Sequence, residues 1–169
     1  MLDSIIIYDS YGVNFGDIFE LAKINGFKIY EESFNKWNGK LVLGGMRVNK
    51  IEKIIIVNFE ISNKMKNFII AHSMAHYFLN PSSEKDFETI EILGETALYS
   101  NFHLEKEINK LACELLISKE ILKNEIYQYR TSIKNSRILN GIVSDLQIIN
   151  KISDKYLIPT SVLMFLMDE

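Results

Sequence analysis

A chain of 169 residues, 47% of them hydrophobic, has enough apolar material for one compact domain spanning residues 1–169. Its 19 Lys and Arg against 22 Asp and Glu leave a net charge of −3, which argues against a general electrostatic attraction to nucleic acid or anionic membranes. The single cysteine, Cys113, excludes an internal disulfide framework and points to a reducing compartment, the cytoplasm.

The first residues, Met1-Leu2-Asp3-Ser4-Ile5-Ile6-Ile7-Tyr8-Asp9, do not form a secretory signal, because the n-region is acidic and the apolar run is short. No stretch approaches the roughly 20 apolar residues needed to cross a bilayer. Asp17 to Asn25 reads as a helix with Gly26 as its stop, followed by a short alternating strand, Phe27 to Glu31. Asn38-Gly39 signals a tight turn before Lys40-Leu41-Val42-Leu43; Gly44-Gly45 then breaks that strand ahead of Met46-Arg47-Val48. Lys53 to Asn58, β-branched and nearly all apolar, is the clearest strand. Together these elements predict a small antiparallel three-stranded sheet in an α+β fold.

From Ile61 onward the pattern is mainly helical. Ser62 caps a helix running to Leu79, where Asn80-Pro81 ends it. A second helix runs from about Leu104 to Ile117, and Ser118 caps a third that starts at Lys119. Two further helices, within about 144–168, begin at Ser144-Asp145 and Pro159-Thr160. They share the outline of a helix-turn-helix, but no Lys or Arg occurs from Leu157 to Glu169, so they read as a packing or partner-binding pair rather than a DNA reader.

Within the first long helix, His72 and His76 stand four residues apart. That spacing puts both imidazoles on one helix face, where they can reach one metal ion. In the metallopeptidase form of this pattern, H-E-x-x-H, the residue after the first His is the general base. Here that residue is Ser73. A zinc site that keeps one position open takes three protein ligands. Glu107 is the carboxylate that stands out, because a 3.6-residue wheel sets it among Leu104, Ile108 and Leu111, the side expected to face the core. A carboxylate pointing inward needs a cation or another partner. The plainer alternative is a boundary glutamate whose stem packs while its head reaches water. Glu105 and Glu114 are rivals, and Glu114, seven residues beyond Glu107, could accept a hydrogen bond behind the ligands.

At these two helices the chain resembles the ImmA/IrrE metallopeptidases of bacteria and their mobile elements. The first family motif, Ala-His-Glu-x-x-His-Tyr/Phe, is matched by Ala71-His72-Ser73-Met74-Ala75-His76-Tyr77. The second, Glu-x-Glu-Ala-Asn-x-Phe-Ala-Ala-Glu-Leu-Leu, is matched by Glu105-Lys106-Glu107-Ile108-Asn109-Lys110-Leu111-Ala112-Cys113-Glu114-Leu115-Leu116. The resemblance implies a zincin-like domain that binds Zn2+ through His72, His76 and Glu107, with Asn109 as a supporting residue. His103, just before the second helix, reads as a loop or cap residue, its alternative being a hydrogen-bond donor or substitute ligand at the site. The resemblance also implies a protein partner such as a helix-turn-helix repressor; the charge balance and the lack of Lys or Arg on the last helix argue against direct contact with nucleic acid.

The departure at Ser73 changes the chemistry that can be expected. Zinc lowers the pKa of a bound water to about 7. The Glu that accepts the proton contributes about 10²- to 10⁴-fold, and a serine hydroxyl is no base near neutral pH. The reading that follows is a pseudoprotease that regulates a stress or mobile-element response by binding. Its alternatives are a metal-free scaffold holding a peptide in the same groove, and a slow zinc endopeptidase borrowing another carboxylate.

Overall fold

The structure, a computed structural model, describes residues 17–79, 87–92, 103–135 and 145–168. Helix α1 (Ile18–Ile24) begins where the Asp17 carboxylate accepts the N–H of Phe19 at 3.1 Å and of Glu20 at 3.3 Å, so two donors without helical partners are satisfied. Gly26, at φ 82°, turns the chain into β1 (Phe27–Glu32). A short arm then reverses at Asn38 and Gly39, both with positive φ, while Trp37 and Lys40 exchange two backbone hydrogen bonds of 2.9 Å. Strand β2 (Val42–Val48) follows. The Asn49 side chain accepts the N–H groups of Ile51 and Glu52, both at 2.9 Å, and so shapes the turn into β3 (Lys53–Asn58).

The sheet has four strands, in the order β1-β3-β2-β4, where β4 is Phe87–Ile92. It is mixed: β2 runs antiparallel to β3 and to β4, whereas β1 runs parallel to β3. This corrects the expected three-stranded antiparallel sheet in two respects. The hairpin β2–β3 folds so that β3, not β2, lies beside β1, and the alternating segment Phe87-Glu88-Thr89-Ile90-Glu91-Ile92 adds an edge strand within the supposedly helical half. The two glycines do not break β2 either. A Cβ on Gly44 would lie 2.5 Å from the Ile56 carbonyl oxygen and 2.9 Å from a methyl of Ile69, so glycine is what lets the strand lie close against its neighbours.

Helix α2 (Asn63–Leu79) packs on β2 and β3, on α1, and most extensively on α3 (His103–Leu116). Its residues 66–75 are all buried. Ile55, Val57, Met46 and Val48 turn inward from the sheet to meet it, which leaves Ile54, Ile56 and Arg47 on the outer face. Helices α4 (Lys119–Asn135), α5 (Asp145–Tyr156) and α6 (Thr160–Asp168) complete the described chain. Val162, Leu163, Phe165 and Leu166 bury one side of α6 among α3, α4 and α5. Among the described residues, no helix is long and apolar enough to cross a membrane.

Candidate metal centre

The two helices that pack most closely bring three titratable groups to one point. His72 and His76 project from adjacent turns of α2, their ring centroids 4.8 Å apart and their Nε2 atoms 3.1 Å apart. Glu105, in the first turn of α3, sets a carboxylate oxygen 3.1 Å from Nε2 of His72. One donor atom from each of the three lies within 4.8 Å of the others. His72 is fully buried, with the Phe68 ring one turn earlier packed beside it at a tilt, centroids 5.7 Å apart, whereas His76 and Glu105 are half-buried. The cluster is therefore closed at His72 and approached past His76 and Glu105.

The protonation states suit a cation. His76 is pushed down to about 4, first by burial and then by the charge of His72, with Glu105 acting the other way. The Glu105 carboxyl is held below the usual carboxylate range, chiefly by its hydrogen bond with His72, against the opposing effect of burial. A neutral His76 and an ionised Glu105 are the forms in which these groups donate to a metal. The separations fit as well. Two ligands at ordinary zinc distances on a tetrahedral ion stand about 3.3 Å apart, close to the 3.1 Å found for both pairs. Two imidazole nitrogens and a carboxylate oxygen are donors of the kind that zinc takes.

The carboxylate that meets the imidazoles is Glu105, not Glu107. Two residues along a helix is about 200° of rotation, so these glutamates face opposite ways. Glu107 is exposed. The expected core stripe was set by Leu104, which is 64% exposed, whereas the buried side of α3 is formed by Ile108, Asn109, Ala112, Cys113 and Leu116. Glu105 is in line with Asn109, Ala112 and Leu116 at spacings of four, seven and eleven residues. That alignment is the sequence signal that identifies it.

Of the remaining expected site residues, Asn109 is fully buried one turn beyond Glu105, and Glu114 is exposed and outside the cluster. His103 opens α3, but its side chain is outside the described residues. Ser73 is fully buried, and its hydroxyl makes no hydrogen bond among the described residues.

An α+β fold with two histidines four apart on a buried helix and a carboxylate from the next helix defines a metallopeptidase-like protein. Residues 22–160 match the peptidase family model described as the IrrE N-terminal-like domain, and the chain belongs to that family. An "Uncharacterized immunity region protein 2" of Bacillus phage phi105 is 23% identical over 116 residues, which cover 67% of this chain and 68% of that protein.

Proposed function

We propose that this protein is a zinc-binding member of its family that regulates by binding a protein partner, a helix-turn-helix repressor being the foremost candidate, and that it does not cleave what it binds. The observation that carries this reading is Ser73. It occupies the general-base position of the H-E-x-x-H motif, while His72, His76 and Glu105 remain together as a complete set of donors. His72, His76 and Glu105 would hold the zinc. When bound, zinc supplies a Lewis acid that polarises a carbonyl and acidifies a water.

Among the described residues, none completes a hydrolytic cycle at this cluster. Glu105 is committed to the cluster, and the Ser73 hydroxyl cannot accept a proton near neutral pH. Glu114, the carboxylate a slow enzyme could borrow, is exposed and lies outside the cluster. A site that keeps its donors and lacks its base is suited to holding a segment of another protein. The name of the phage relative, an immunity region protein, supports a role in mobile-element control.

The test pairs metal content with cleavage. Untagged wild-type protein should carry about one zinc per chain by plasma mass spectrometry, and His72→Ala should carry none. Incubated with a repressor encoded beside it, the wild type should bind without cutting, and Ser73→Glu should give detectable cleavage. Equal trace metal in wild type and His72→Ala would refute the zinc site, and efficient cleavage by wild type would refute the loss of catalysis.

A further inference from the structure

The sheet face turned away from α2 carries a second concavity, independent of the metal centre. It is a pocket of about 390 Å³ between the arm that joins β1 to β2, which supplies Phe34 and Trp37, and the sheet, which supplies Ile56, Gly45, Arg47 and Glu88. Gly45 pairs with Ile56 on β3, so the absent side chain leaves a hollow in the sheet surface. Trp37 is 56% exposed, yet its backbone is fixed, because its N–H and its carbonyl both bond to Lys40 at 2.9 Å across the Asn38-Gly39 turn. A broad aromatic group is thus held beside an apolar hollow.

Two opposite charges stand on the pocket wall. Arg47 of β2 and Glu88 of β4 are register partners, which sets their Cβ atoms about 5 Å apart on one face of the sheet. They do not pair with each other. Arg47 leans toward Glu52 at 3.6 Å, beyond hydrogen-bond reach, and Glu88 makes no ion pair or hydrogen bond among the described residues. Because the two formal charges cancel, the wall selects neither a cationic nor an anionic ligand. What complements it is an uncharged group that sets an acceptor against the guanidinium and, beside it, donors against the carboxylate.

Guanine-type rings have such an edge: a carbonyl oxygen next to two parallel N–H groups, the pair that a carboxylate accepts as a fork. Their flat bicyclic frame also suits stacking on an indole. We propose that this pocket binds a free, uncharged guanine-type heterocycle, stacked on Trp37, with its carbonyl accepting from Arg47 and its two N–H groups donating to Glu88. The net charge of −3 and the carboxylate on the wall disfavour the same ring carried on a phosphate backbone. This site is separate from the zinc reading, since it uses no residue of α2 or α3.

Trp37 is the only tryptophan in the chain, so quenching of its emission reports on the pocket directly. The full-length protein is titrated with guanosine, inosine, adenosine, and an oligothymidine carrying one central guanine. Guanosine should quench Trp37 saturably. Inosine lacks the second donor and should bind at least about threefold more weakly. Adenosine puts a donor where guanine has its carbonyl and should bind at least about tenfold more weakly. Glu88→Gln, at an exposed position, should lower guanosine affinity at least about tenfold and remove its advantage over adenosine. Zinc content should be unchanged in that variant, which separates failure here from failure at the metal centre. No saturable quenching by guanosine, equal affinity for guanosine and either analogue, full affinity retained in Glu88→Gln, or tighter binding of the oligonucleotide than of guanosine would overturn the proposal.

Discussion

Helices α2 and α3 supply the same site and are built on different plans. α2 is enclosed: residues 66–75 are buried in succession, with the sheet, α1 and α3 around them. α3 is half open, with Ile108, Asn109, Ala112 and Cys113 buried and Leu104, Glu107 and Glu114 facing outward. On an enclosed helix every residue has a fixed environment, and the histidine spacing alone fixes the geometry. On a half-open helix, the phase of the wheel decides which of several glutamates turns inward. One exposed leucine at its start is enough to shift that phase.

The contrast can be tested through packing. Ile70→Ala on α2, where the side chain is fully buried, should cost about 3 kcal/mol of unfolding free energy. Leu104→Ala on α3, 64% exposed, should stay within about 0.5 kcal/mol of wild type. Urea unfolding followed by circular dichroism measures both. Similar losses at the two positions would mean that α3 is as enclosed as α2. A smaller effect sharpens the comparison at Ser73, whose buried hydroxyl makes no hydrogen bond among the described residues. Removing such a group relieves a desolvation penalty, so Ser73→Ala should stabilise the metal-free protein by about 1 kcal/mol. A loss of that size instead would show that the hydroxyl has a structural partner.

What could be read from the sequence follows the same division. The Asn38-Gly39 turn, the β-branched strand at 53–58 and the α2 histidine pair depend on local chemistry, and each is present in the structure. The parallel pairing of β1 with β3 is a matter of chain crossing, about which a short alternating strand carries no information. Gly44-Gly45 looks like a break in one dimension. In three dimensions Gly44 lies where a side chain would run into Ile56 and Ile69. The shift from Glu107 to Glu105 has the same origin: the carboxylate is chosen by packing between helices, and Asn109, a polar residue on the buried stripe, marked that face better than Leu104 did.

The central claim is that His72, His76 and Glu105 converge on one cation. It is tested most directly by titrating zinc into metal-free wild type, Glu105→Gln and Glu107→Gln against a competing chelator. Glu105→Gln should weaken binding by more than about 100-fold, beyond the loss typical of a residue that only supports a ligand, while Glu107→Gln should match wild type. Loss of zinc in Glu107→Gln with full affinity retained in Glu105→Gln would contradict the claim.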